Sequence, residues 1–201
     1  MSSRVIAGTA KGRKLKLVPG DSTRPIMDRV KEALFSILGH FVRGSSFLDL
    51  FGGTGSVGIE ALSRGASRAV FVEIDRHALQ TIRDNLEHTQ LSERADVRAI
   101  NAFDMLKRPS DVTFDYIYVA PPQYKGLWKE ALLALDANPS WYHEESIVIV
   151  QIEPREQADI TLTHLRPYDE RRYGKTLLWF FEHANAPQDD EGFDESTTEE
   201  K

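Results

Sequence analysis

The segment FLDLFGGTGSVGIEALSRG, residues 47–65, narrows the possible folds more than any other part of this chain. Residues 47–50 read as a short buried strand. Gly53, Gly55 and Gly58 then match G-x-G-x-x-G, the spacing of a tight strand-to-helix turn whose backbone can approach a ligand closely. Residues 56–65 read as a helix closed by Gly65. The rhythm repeats downstream. Strands are expected at 68–74, 95–100, 114–119 and 146–152. The helices between them are DRHALQTIRDNLEHT, with Asp75 as N-cap, a short one near 102–107, and KGLWKEALLAL. Alternation of this kind builds a parallel sheet with helices on both faces. Residues 159–183 lack a helical period and predict two more strands, near 159–167 and 175–182, joined by a polar turn. So short a connection makes that pair antiparallel. The expectation is an α/β fold with a doubly wound, seven-stranded, mostly parallel sheet and one reversed strand.

Ahead of this lies different material. RVIAGTAKGRKLKL, residues 4–17, predicts two short strands with Gly8 to Gly12 as the turn. PGDSTRP (19–25) reads as a loop. MDRVKEALFSILGHF carries Val30, Ala33, Leu34, Ile37 and Leu38 at helical spacing. The organisation expected is a hairpin-and-helix extension at 1–45, a main domain at 46–184 and a disordered acidic tail at 185–201. Charge follows the same division. The first 45 residues hold nine bases and three acids, whereas the tail holds seven acids and one base, which hides the basic end within a net charge of −6. A basic stripe is the footprint of phosphate binding, although a solvated hairpin with Lys and Arg on its outer face fits the charge equally well.

Glu73 closes the strand after the glycine loop, where a carboxylate can accept hydrogen bonds from two ribose hydroxyls. A nucleoside-containing cofactor at the switch point of the sheet is the natural reading. Asp49, at the strand end just before the loop, separates two candidates. It would repel the pyrophosphate of NAD but suits a ligand with an ammonium and a sulfonium, as S-adenosylmethionine has. A tight turn with no ligand is the plainer alternative. Asn101, Ala102 and Phe103 follow the third strand of the alternating region and suit the edge and face of an adenine, or simply begin a helix with Asn101 as N-cap. There are no cysteines, and the six histidines show no ligand spacing, so no metal is expected. No apolar run approaches the roughly 18–20 residues of a membrane span. The first residues, Met-Ser-Ser-Arg, lack the apolar stretch of a secretory signal, and a cytoplasmic location is expected.

The strand at 114–119 ends in Ala120-Pro121-Pro122-Gln123-Tyr124. Two prolines stop the strand and donate no backbone N–H. With an aromatic following, they make a stiff shelf on the side where a doubly wound sheet binds ligands. A shelf of carbonyl acceptors and a stacking ring suits methylation of an exocyclic amine. Such a nitrogen is a poor nucleophile until acceptors draw its hydrogens out of the ring plane.

Together, DLFGGTGSVGIEALSRGA, VFVEID, FDYIYVAPPQY, TRPIMDRVKEALF and the opening RVIAGTAKGRKL resemble the RsmD family of bacterial 16S rRNA (guanine-N2)-methyltransferases, from Arg4 to about His183. The resemblance implies a Rossmann-like methyltransferase fold and S-adenosylmethionine as donor. The partner it implies is 16S rRNA or the small-subunit particle, and nothing calls for more than a monomer. It implies that Asp49, Gly53 and Gly55, with Phe51 beside them, hold the methionine part. Glu73 and the adjoining Ile74 would take the ribose, and Asn101 and Ala102 would lie beside the adenine. Thr23, Arg24 and Pro25 would approach the methionine or the target. Lys11, Arg13, Lys14 and Arg29 are candidates for rRNA phosphates, and 120–124 form the catalytic lip. The chain departs from the family at two places. Where the family reads Asp-Pro-Pro followed by an aromatic, this chain has Ala120, and Gln123 displaces the aromatic to Tyr124. Ile26 stands where threonine is usual. Losing the charged acceptor costs on the order of 2–4 kcal/mol of barrier, a factor of roughly 30 to 1,000 in rate. The acceptors left are the Ala120 and Pro121 carbonyls, Gln123 and, after the fifth strand of the sheet, Glu153. A different methyl acceptor, or a non-catalytic RNA-binding relative, are the competing readings.

Overall fold

The computed structural model describes residues 3–20 and 26–186. The acidic tail from residue 187 onward, and Thr23, Arg24 and Pro25, lie outside the described residues. In chain order the elements are β1 (Ser3–Arg4), β2 (Lys14–Leu15), α1 (Asp28–Leu38), β3 (Ser46–Asp49), α2 (Ser56–Ser63), β4 (Arg68–Glu73), α3 (Arg76–Thr89), β5 (Ala95–Ala99), α4 (Ala102–Leu106), β6 (Tyr116–Val119), α5 (Leu127–Ala137), β7 (Ile147–Ile152), β8 (Leu165–Tyr173) and β9 (Thr176–His183).

Seven strands form one sheet in the order β5-β4-β3-β6-β7-β9-β8. β3 pairs in parallel with both β4 and β6, and β9 runs antiparallel to β7 and to β8. β9 is therefore the single reversed strand, and β8 points the same way as β7. The order reverses at β3, so β3 and β4 leave in one direction and β6 and β7 continue in the other. That places the crevice beyond the carboxyl ends of these strands. β3 and β6 are buried at every position, as a strand covered by helices on both faces must be.

The last hairpin differs from the sequence expectation. The segment 159–164 is irregular, and the strand begins at Leu165 and continues through the polar residues read as a turn. β8 is an edge strand with only Leu165 fully buried, so hydrophilic side chains there meet solvent, and ladder bonds to β9 rather than an apolar face hold it in place. The expected helix of 27–41 ends at Leu38 and continues as a single 3₁₀ turn, Gly39–Val42.

Residues 3–20 and 26–45 join the core of the sheet. Val5, Ala10, Leu15, Val30, Leu34 and Phe35 pack in one cluster with Phe47, Ile59, Phe71 and Phe180. A buried charge network fastens them. Glu60 of α2 accepts hydrogen bonds from the backbone of Ile6 at 2.7 Å and Ala7 at 3.0 Å. Its carboxylate also lies 3.5 Å from Lys31 Nζ, and both side chains are fully buried. Lys31 Nζ donates to the Arg4 carbonyl at 2.7 Å and to Ser56 Oγ at 2.8 Å. A buried pair of this kind holds only when its remaining hydrogen-bonding groups are satisfied, and here both partners are.

Candidate active site

One large cavity, about 780 Å³, opens at the carboxyl edge of the sheet. Its walls come from the ends of β3, β4 and β6, the loop after β5, and Gln151 of β7. That volume accommodates a nucleoside-sized ligand with room for a second group.

The glycine loop forms the floor. Gly55 is the N-cap of α2 at φ 74°, a conformation that costs an L side chain but not glycine. Gly58 lets α2 lie against β4, since a Cβ there would sit 2.3 Å from the Phe71 ring. Gly53 lines the cavity, while Gly55 stands behind it. The Gly53 amide donates to Glu73 Oε2 at 3.0 Å, and Glu73 Oε1 accepts from the amides of Ile74 (2.7 Å) and Asp75 (3.0 Å). The Glu73 carboxylate is thus locked in place at the cavity wall, with one acceptor site left, on Oε2.

Asp49 lines the same cavity but is only 2% exposed, and its Oδ1 has no hydrogen-bond partner among the described residues. Burial pushes its carboxyl up to about 8. The amides of Gly58 and Phe51 act against the shift, and the charge of Glu73 adds to it. A buried acceptor left unpaired beside a cavity is costly, and a cationic ligand group would remove that cost. Around the corner lies an apolar slot. Ile74 is 62% exposed, and Phe51 and Phe103 meet edge-on with ring centroids 6.0 Å apart. Ile100 and Ala102 complete the slot. Asn101 is the N-cap of α4, its Oδ1 accepting from Phe103 N at 2.8 Å and Asp104 N at 3.3 Å. The plainer reading of Asn101 therefore describes its side-chain oxygen, while the residue still lines the slot.

At the opposite wall, Ala120, Pro121, Pro122 and Gln123 line the cavity and Tyr124 does not. Tyr124 sits at φ 61° with its side chain exposed and its amide donating to Glu156 Oε2 at 2.7 Å. That anchor holds Tyr124 outward while Gln123, Lys125 and Leu127 on either side line the cavity, so the ring read as a stacking surface faces solvent. Glu153 is occupied as well: it opens a 3₁₀ turn whose capping box it shares with Glu156. Polar residues missed in the sequence also face the cavity, Tyr118 and Gln151 among them. The Tyr118 hydroxyl donates to Gln151 Oε1. Burial, and then the Asp49 charge, hold the Tyr118 hydroxyl well above its usual pKa, so it stays a donor. The polar Gln151 in the otherwise apolar IVIVQI was the available signal.

The basic hairpin is elsewhere. Its turn is tied to the C-terminal end of α2, with Thr9 N donating to the Ser63 carbonyl and Ala10 N to Ser63 Oγ, both at 2.9 Å. The cavity is at the other end of that helix, roughly 12 Å away along its axis. Arg13 is committed to the C-terminal end of α3 through the His88 carbonyl and Gln90 Oε1. Lys11 and Lys14 are exposed. Arg29 is exposed on the first turn of α1, beside the turn between β8 and β9. No group of three or more metal-ligating side chains occurs among the described residues, and no helix among them is long and apolar enough to cross a membrane.

Residues 3–182 match the family model described as Conserved hypothetical protein 95. The chain is 37% identical over 152 residues to the ribosomal RNA small subunit methyltransferase D of Haemophilus influenzae, covering 75% of this chain and 78% of that protein. It is 35% identical over 150 residues to the protein of the same name from Escherichia coli, covering 75% and 74%. Among solved structures, yhhF of Escherichia coli superposes with a TM-score of 0.80 at 31% identity, over 91% of this chain and 98% of that one. An RNA methyltransferase of Salinibacter ruber in complex with S-adenosyl-L-homocysteine gives a TM-score of 0.62 at 14% identity, over 83% and 98%, a likeness of fold alone.

Proposed function

This chain belongs to the RsmD family and is a methyltransferase, and on that footing we propose that it methylates the exocyclic N2 amine of a guanine in 16S rRNA with S-adenosylmethionine as donor. The observation that carries the reading is Asp49: a buried carboxylate with an unpaired oxygen, lining the same cavity as the proline lip. An ammonium would be bound there by the ionised carboxylate, whereas a pyrophosphate offers it no positive charge to pair with.

The residues present fit this cofactor. Asp49 would receive the methionine ammonium, Glu73 a ribose hydroxyl, and the slot of Ile74, Phe103 and Ala102 the adenine. Ser56, which lines the cavity and accepts a hydrogen bond from the buried Lys31 ammonium, adds positive potential for a carboxylate. When bound, S-adenosylmethionine supplies a methyl group on a sulfonium, already electrophilic. What remains for the protein is to hold the amine in line and accept its hydrogens. Ala120 offers only its carbonyl. The Pro121 carbonyl, Gln123 and the Gln151 oxygen are the other acceptors on that wall. All are neutral, and a neutral acceptor is roughly half as strong as a carboxylate. Metal is not called for, and a cytoplasmic site of action agrees with an rRNA substrate.

A nucleoside mass map of small-subunit rRNA from cells with and without this protein tests the proposal. The expected outcome is one N2-methylguanosine present only with the protein; identical maps would remove the reading.

A further inference from the structure

Resting on that reading, we propose that the RNA backbone docks on a basic rim along the carboxyl edge of the sheet, from the end of the lip to the turn between β8 and β9, and not on the N-terminal hairpin. The topology places the rim. Because β8 is parallel to β7, the carboxyl end of β8 lies on the same edge as the cavity. Ile152 of β7 pairs with Leu177 of β9, which pairs with Arg172 of β8. At about 4.8 Å between strands, Arg172 lies roughly 10 Å from the strand that contributes Gln151 to the cavity.

The charges on this edge are sorted. Its acids are engaged. Glu153 and Glu156 cap the turn after β7, and Glu156 holds the Tyr124 amide. Asp169 pairs with Arg171 at 3.2 Å, and Glu170 accepts from Gln157 at 2.7 Å. Its bases are in no ion pair: Lys125, Arg155, Arg172, Lys175 and Arg29 are exposed and form none among the described residues. Arg172 makes only one long contact there, from Nε to the Gly174 carbonyl at 3.4 Å. A Cβ on Gly174, in the β8–β9 turn, would lie 3.3 Å from an Arg29 guanidinium nitrogen, so α1 and that turn present their charges together. At the hairpin the charge is largely neutralised, with Lys11 and Lys14 left exposed and outside any ion pair among the described residues. Arg4 pairs with Asp28, Lys16 pairs with Asp84, and Arg13 is spent on α3. Free cations beside the cavity can position a phosphate backbone for the site, whereas Lys11 and Lys14 lie a helix length away from it.

The test is binding of a small-subunit rRNA transcript across a salt series. The proteins compared are the wild type, Arg172→Gln/Lys175→Gln, Arg155→Gln and Lys11→Gln/Lys14→Gln. Each lost phosphate contact lowers the slope of log K against log salt by roughly 0.7 to 0.9. The rim double variant should therefore lose roughly 1.4 to 1.8 in slope and bind about 10-fold more weakly at low salt, with the single variant in between. The hairpin variant should track the wild type, and all four proteins should bind S-adenosylhomocysteine equally well in calorimetry. Loss confined to the hairpin variant, or loss at the rim accompanied by lost S-adenosylhomocysteine binding, would overturn the proposal. A wild type that binds the transcript and methylates it while the rim variants keep their slope overturns this inference alone. A wild type with no affinity for the transcript removes both the inference and the rRNA reading.

Discussion

Asp49 and Glu73 close neighbouring parallel strands and face one cavity, and the Glu73 charge adds to burial in holding the Asp49 carboxyl near 8. At neutral pH the cofactor-free carboxyl is therefore largely protonated and must release its proton to pair with an ammonium. Binding of S-adenosylhomocysteine should strengthen as pH rises toward 8 and level off above it. At pH 7 it should release close to one proton, read from calorimetry in buffers of different ionisation enthalpy. The sign for the free protein is opposite. A carboxyl raised in the folded state contributes stability below its ordinary value near 4, and that contribution is lost as pH climbs through 8. Asp49→Asn should therefore raise the Tm at pH 8.5, weaken cofactor binding and abolish its pH dependence.

Glu73 has a double assignment, anchoring the Gly53 amide and offering an acceptor to a ribose. Glu73→Ala should weaken S-adenosylhomocysteine binding by roughly 10- to 100-fold, the worth of one hydrogen bond to a charged group. Adenine alone, which reaches only the Ile74 and Phe103 slot, should lose far less. Equal losses for both ligands would mean that the loop has collapsed.

The buried Lys31 pairs with Glu60 and joins α1, the first strand and α2. Removing Glu60 leaves the buried Lys31 ammonium without a carboxylate, which costs about 3–5 kcal/mol, whereas Glu60 without Lys31 would keep Arg64 at 2.8 Å. For a chain of this size, Glu60→Leu should lower the Tm by roughly 6–20 °C. A shift of a degree or two would show that the network contributes little.

Ala120 is the departure with the sharpest chemical consequence. Restoring a carboxylate with Ala120→Asp should raise the rate of methyl transfer by roughly 30-fold or more, the lower end of what one acceptor is worth, while S-adenosylhomocysteine affinity stays within twofold. Gln151→Leu should slow transfer by about 10-fold with the cofactor held as before. A fall in rate for Ala120→Asp would mean that the lip works through a different set of acceptors.

What was legible in the sequence followed from local physics. The glycine loop, the strand ends at Asp49 and Glu73 and the Asp75 cap are set by spacing within a few residues, and the structure has them where that spacing implies. The parallel pairing of β3 with its neighbours followed from the alternation itself. β8 begins later and runs further than expected because an edge strand needs no apolar period, so Tyr168 to Tyr173 looks like a turn. The Lys31–Glu60 pair escaped notice because a charged residue on an amphipathic helix ordinarily faces water, and its partner is 29 positions away. Tyr124 was assigned a stacking role from its neighbours, and the Glu156 contact that turns it outward joins residues 32 apart. The hairpin's charge was read correctly, but its location depended on Ser63, which no local pattern announces.

The central claim is tested most directly by transfer of tritium from labelled S-adenosylmethionine to small-subunit particles lacking the modification, followed by digestion to nucleosides. The account predicts label in N2-methylguanosine at a single site of the small-subunit rRNA, lost with Asp49→Asn. No incorporation by a folded protein that binds the cofactor, or label in another nucleoside or in protein, would contradict it.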